Sequence, residues 1–178
     1  VTKESEPKTT SYAWFTSTGD NTEVPNNWVR GFEVYEDESA LVEVHRSSTP
    51  YKKMRSSVVP EKILEKPTDL RFLRPTGYGF MTRRSSSCNF DGKILQNDEK
   101  SLVKIMEIKP LEKTRAEMLT EIQMLAGHVE QFEATTASFW VLEYLPEYSE
   151  DTVVIFSRFK NTMACQAHQD SNFVSNSM

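Results

Sequence analysis

The chain has 178 residues, of which 38% are hydrophobic and 11% aromatic, enough for the core of one medium domain or two small ones. A net charge of −5 without a long basic run leaves no electrostatic footprint for nucleic acid, and no stretch approaches the ~20 apolar residues that would cross a bilayer. The two cysteines, Cys88 and Cys165, form no CxxC and read as free thiols of a reducing compartment; no leader is visible, so a cytoplasmic protein is expected.

Along the chain, Val1 to Pro7 reads as the tail of a long helix that is otherwise missing. Tyr12-Ala13-Trp14-Phe15 is a strand, Thr18 to Asn27 a long polar turn, and Trp28 to Tyr35 the hairpin partner. Asp37 then caps a short helix that ends at His45. Leu70 to Leu73 and Tyr78 to Met81, interrupted by Pro75-Thr76-Gly77, are candidates for the closing strand of this first half. A stretch rich in Ser, Asn and Asp, 84–100, reads as a linker.

The second half opens on Leu102 to Ile108, a strand apolar on both faces, which predicts helices on one side and an enclosed space on the other. Leu111, Met118, Ile122, Leu125, Val129 and Phe132 form one stripe at the helical period and predict a helix over Pro110 to Glu133, with Pro110 in its first turn. Phe139 to Tyr144 and Thr152 to Phe159 then form a hairpin across Pro146 to Glu150, and Asn161 caps a helix that carries His168. The order strand–helix–strand–strand–helix is that of a ferredoxin-like α+β unit whose last strand is not obvious.

The two halves repeat one another. Phe32, Tyr35, Asp37 and Ala40 map onto Phe156, Phe159, Asn161 and Ala164 at a constant offset of 124, whereas His45 and His168 miss that register by one. Two ferredoxin-like units are therefore expected, at 1–83 and 101–178, the first without its opening strand and most of its first helix. A single such unit would leave one sheet face bare, so the two are expected to pair.

Strand, Phe-x-x-Tyr/Phe, cap, Ala, His, then Ser-x-Pro/Asn-Tyr/Phe resembles the antibiotic biosynthesis monooxygenase domain of the dimeric α/β-barrel superfamily. The likeness is strongest over Ala137 to Phe173 and extends to Thr10 to Tyr51. It implies a tandem form in which an ordinary homodimer is fused into one chain as an antiparallel, barrel-type pseudo-dimer, open to further homodimerisation. It also implies oxygenation of small electron-rich aromatics of secondary metabolism, such as quinols or anthrones, with O₂ and with no cofactor. Such chemistry is reasonable because a phenolate or enolate can pass one electron directly to O₂. The protein must bind the aromatic, favour its deprotonated form and exclude water. Two alternatives use the same cavity: a non-catalytic binding protein for a hydrophobic small molecule, and a cofactor-free isomerase or cyclase.

On this resemblance the catalytic candidates are His45, His168 and Tyr35, and the substrate-binding candidates are Trp14, Trp28, Phe32, Tyr51, Trp140 and Phe156. An imidazole could take a phenolic proton near neutral pH; the plainer alternative is a histidine packed at a helix end. The one-residue mismatch implies that the two histidines do not point alike, and Tyr35 and Tyr51 make His45 the favoured one. Trp14 and Trp140, on corresponding strands, also suit a role in the sheet core. His128 reads as an edge residue. The three histidines form no HExxH or His/Cys cluster, so no metal site is expected.

Overall fold

The computed structural model describes residues 6–19, 24–58, 60–61, 63–65, 68–83, 101–111, 114–149 and 151–171. The linker expected at 84–100, with Cys88, lies outside them, as does Phe173. The chain divides into two compact units, Val1–Asp69 and Leu70–Met178. Both are mixed α and β with antiparallel sheets.

Among the described residues, the first unit is a hairpin of β1 (Thr9–Thr16) and β2 (Val29–Tyr35), followed by a π-helical turn, α1 (Ala40–His45), and by α2 (Thr49–Val58). The Asp37 carboxylate accepts the Ala40 N–H at 2.8 Å, satisfying a donor that the helix start leaves open.

The second unit comprises β3 (Leu73–Phe80), β4 (Leu102–Ile108), α3 (Arg115–Phe132), β5 (Thr136–Tyr144), β6 (Val153–Phe159) and α4 (Thr162–Gln169), with strand order β3-β5-β6-β4. Central β6 reads Val-Val-Ile-Phe-Ser-Arg-Phe and is buried throughout, as a strand flanked on both edges should be. Helix α3 lays Met118, Ile122, Leu125, Ala126 and Val129 on Phe139, Val141, Val153 and Ile155. Helix α4 packs Ala164 and Cys165 on Phe159, four residues beyond Ile155 on the same face. Both helices thus cover one face of the sheet. The opposite face carries Trp140, Leu142, Val154 and Phe156, and the last three are buried too.

Three expectations change here. The strand over Leu73–Phe80 does not close the first unit: it pairs with β5, Leu73 opposite Tyr144 and Phe80 opposite Phe139. Residues 70–83, expected in the first unit, therefore belong to the second, with Leu73–Phe80 in its sheet. The Pro75-to-Gly79 irregularity is a break in register inside one strand, and Gly79 at φ +77° brings the backbone so close that a Cβ there would stand 2.1 Å from the Phe139 carbonyl oxygen. The long helix begins at Arg115, not Pro110. Thr114 forms a reciprocal capping box with Glu117, which fixes the start and leaves Leu111 outside the stripe and 99% exposed. Phe132 is also largely exposed. No described helix is long and apolar enough to cross a membrane.

Candidate functional site

Each unit seats a buried histidine on a carboxylate. In the first, His45 at the end of α1 places Nδ1 2.7 Å from Glu6 Oε2; both side chains are almost fully buried, at 7% and 2% exposure. In the second, His168 near the end of α4 places Nδ1 2.8 Å from Glu133 Oε2. The supporting contacts correspond. The Thr9 and Thr136 hydroxyls donate to Glu6 and Glu133, at 3.3 and 2.9 Å. The Ser48 and Ser171 amides donate to the carbonyls of His45 and His168.

The mismatch between the two histidines has a structural cause, and the expectation that they point differently is not met. His45 lies eight residues beyond its cap Asp37, and His168 lies seven beyond its cap Asn161. The extra residue is absorbed by α1, whose Arg46 N–H reaches back five residues to the Leu41 carbonyl, whereas α4 is an ordinary α-helix. Both imidazoles therefore arrive at a carboxylate on the loop before the hairpin.

What surrounds the rings differs. His45 lies among Tyr12, Tyr35 and Tyr51, with ring centroids 5.6, 5.7 and 5.0 Å away. His168 has Phe139 at 5.9 Å and Phe159 at 5.3 Å. Strand register equates these positions. Thr9 pairs with Tyr35 and a bulge follows before Ser11; Thr136 pairs with Phe159 and the same bulge follows before Ser138. Tyr12 and Tyr35 thus stand where the second unit has Phe139 and Phe159.

The electrostatics follow from these contacts. Burial alone would raise the Glu6 carboxyl, but hydrogen bonding and charge from His45, with help from Ser48 and Thr9, outweigh it and hold Glu6 below the usual carboxylate value. Glu133 behaves alike: burial opposes ionisation, and His168 with Thr136 overcomes it. The Tyr35 hydroxyl donates to Glu33 Oε2 at 2.7 Å, and burial together with that carboxylate pushes its phenol far above the ordinary range. Tyr35 is thus a neutral donor rather than a base. Burial also raises Tyr12.

The remaining predicted residues do not gather round one point. Trp14 shares the His45 face of its sheet, packing edge-on against Tyr12 at 6.1 Å, but is half exposed. Its indole lies across Gly31, where a Cβ would stand 3.2 Å from the ring. Trp28 is 40% exposed and precedes β2. Phe32 lies on the opposite face of the first sheet, since it neighbours Gly31 and Glu33 on one strand. Trp140 and Phe156, paired across β5 and β6, likewise lie on the face of the second sheet away from α3 and α4. Trp14 and Trp140 share corresponding strands but not corresponding positions: Trp14 pairs with Gly31, whereas Trp140 matches Ala13, the partner of Phe32.

Glu6, Glu133, Tyr12 and Glu33 are absent from the site residues expected from the sequence. One signal was present: Glu6-Pro7-Lys8-Thr9 and Glu133-Ala134-Thr135-Thr136 both place Glu three residues before Thr at the start of an aromatic strand. Arg83 is also new. Its guanidinium donates to the carbonyls of Val129, Glu130, Glu133 and Thr136, closing the C-terminal end of α3 beside the Glu133 carboxylate. His128 is an edge residue, half-buried against Phe132. Among the described residues no group of three His, Cys, Asp or Glu side chains could hold a metal ion.

No protein-family profile matches the chain, and no curated protein does. Two solved structures share its fold. A putative monooxygenase from Lactobacillus acidophilus NCFM superposes with a TM-score of 0.71 at 9% identity, over 99% of this chain and 71% of that one. A putative monooxygenase from Fusobacterium nucleatum subsp. nucleatum gives 0.63 at 13% identity, over 83% of this chain and 60% of that one. At such identities the likeness is one of fold.

Proposed function

We propose that the chain is a cofactor-independent monooxygenase of the antibiotic biosynthesis type, acting on a small electron-rich aromatic such as a quinol or anthrone. In this reading the two units are the fused halves of a dimeric α/β-barrel, and the protein works in the cytoplasm. The observation that carries it is the His45 imidazole, seated on Glu6 and surrounded by Tyr12, Tyr35 and Tyr51, in a chain with the fold of two putative monooxygenases. His45 takes the phenolic or enolic proton. The resulting anion passes one electron to O₂ and the radical pair combines to a hydroperoxide; with a quinol, loss of water from the ring-carbon hydroperoxide leaves a hydroxyquinone, and with an anthrone it leaves a carbonyl where the CH₂ stood. CH₂ and O₂ thus become C=O and H₂O, with no external reductant. The tyrosine rings offer faces for stacking.

A second reading, a non-catalytic binding protein, draws on the near-complete burial of His45 and on the recurrence of the same clasp at His168. Oxygen uptake by metal-free protein, measured against a panel of quinols and anthrones with ¹⁸O₂ product analysis, separates them. Label in the product supports the oxygenase. Saturable tryptophan quenching without uptake supports the binder. Turnover that persists under argon supports an isomerase or cyclase.

A further inference from the structure

We infer that the working half is the first unit, and that Glu6 is a positioning residue which fixes His45 as the Nδ1–H tautomer and so leaves Nε2 as the base. The inference rests on the reading above, which gives the proton transfer to His45, and adds the residue that prepares His45 for it and the exclusion of the matching clasp in the second unit.

A neutral imidazole carries one N–H, and the proton stays on the nitrogen that faces an acceptor. Glu6 Oε2 lies 2.7 Å from Nδ1, and its carboxylate is oriented by Thr9 as well as by His45. Nδ1 therefore donates, and Nε2 keeps its lone pair. When Nε2 takes a proton, the cation forms beside a buried carboxylate that is already in place, so little reorganisation is needed. The ionisable groups around the ring are compatible with this. Tyr35 donates to Glu33 and is held neutral, burial keeps Tyr12 neutral, and Tyr51 on α2 is a further phenol. Glu6 is the carboxylate that touches the ring.

The second unit supplies a control within the same molecule. Glu133 grips His168 through the same nitrogen with the same threonine support, but Phe139 and Phe159 replace the tyrosines at the two matching strand positions. A purely structural clasp should matter equally in both units. A positioning carboxylate should matter to chemistry only in the first.

The test compares Glu6→Gln with Glu133→Gln in the full chain. The probe is 4-nitrophenol, whose phenolate is read by its absorbance whether or not O₂ is consumed. The wild type should bind the probe and raise its phenolate fraction. Glu6→Gln should lose that ionisation with little change in binding, and Glu133→Gln should keep it. Oxygen uptake on an accepted substrate should fall about 10²–10⁴-fold in kcat for Glu6→Gln, with KM preserved, and by less than about threefold for Glu133→Gln. Long-range ¹H–¹⁵N spectra of the wild type should show His45 protonated at Nδ1, which needs no variant to fold. Three results would each overturn the inference: equal losses in the two variants, a wild type that fails to bind or ionise the probe, or a His45 protonated at Nε2. Glu6-dependent ionisation without oxygen uptake would uphold it and sink the monooxygenase reading instead.

Discussion

His45 and His168 meet equivalent carboxylates although one stands a residue further from its cap than the other, because α1 is wound as a π-helix and α4 as an α-helix. The extra residue is thus accommodated locally rather than passed on to the histidine. Val42, about half exposed within α1, is a position where that residue can be removed. We expect deletion of Val42 to rewind α1 as an α-helix and to keep the melting temperature within a few degrees of wild type. His45→Ala, by contrast, breaks a buried pair and should cost about 3–5 kcal/mol. Parallel thermal melts check this; a deletion as damaging as His45→Ala would mean that the π-helix is itself required.

The hairpins, both histidines and the short helices that carry them were legible because aromatic alternation, an Asp or Asn cap and a recurring His are local signals, whereas α2, which carries Tyr51, was not expected. The Glu6–His45 pair was not, since its partners are 39 residues apart and nothing local joins them. The partner of Leu73–Phe80 was hidden for a related reason. Pro75, Gly77 and Gly79 break its alternation, and the choice of β5 is made by a register that only the folded sheet defines. The spread of Trp14, Phe32, Trp140 and Phe156 over different sheet faces was readable in principle from strand parity. Aromatic content alone does not carry it, because adjacent residues of a strand point to opposite faces.

Acid should loosen both units through Glu6 and Glu133. Each carboxyl is held below its ordinary value of 4.5 in the folded protein, so near and below that pH the unfolded chain binds more protons. The stabilisation is therefore complete above about pH 4.5 and is lost as pH falls through the folded values. Urea midpoints measured from about pH 6 down to about pH 3 should fall steadily. The Glu6→Gln, Glu133→Gln double variant should start lower and show a shallower slope. An unchanged slope would mean that these carboxyls are not what acid attacks.

Two glycines of the second unit should respond in opposite directions. Gly79 sits at φ +77° with the Phe139 carbonyl where its Cβ would go, so Gly79→Ala must shift β3 from β5 and should cost at least about 2 kcal/mol. Gly127 lies inside α3 with nothing within 4 Å of where a Cβ would stand, so Gly127→Ala should stabilise by about 0.5–1 kcal/mol. Denaturant titration of the two single variants measures both. Destabilisation by Gly127→Ala would show that the outer face of α3 is covered in the working protein.

Tyr35 and His45 separate by role on the reading proposed above. The Tyr35 phenol donates to Glu33 and is driven far above the ordinary range, first by burial and then by that carboxylate, so it cannot act as a base at neutral pH. Its hydroxyl, absent from the matching Phe159, can still accept a hydrogen bond from the substrate while it donates to Glu33, and so serves binding rather than proton transfer. Tyr35→Phe should therefore raise KM a few-fold and leave kcat within about threefold, whereas His45→Ala should lower kcat by about 10²–10⁴-fold. The comparison is made on folded variants, with circular dichroism matched to wild type and rates followed by oxygen uptake. A kcat loss in Tyr35→Phe as large as that in His45→Ala would place the Tyr35 hydroxyl on the reacting atoms and remove His45 as the sole proton acceptor. A Tyr35→Phe variant indistinguishable from wild type in both constants would move the aromatic away from this cluster, toward the face that carries Phe32.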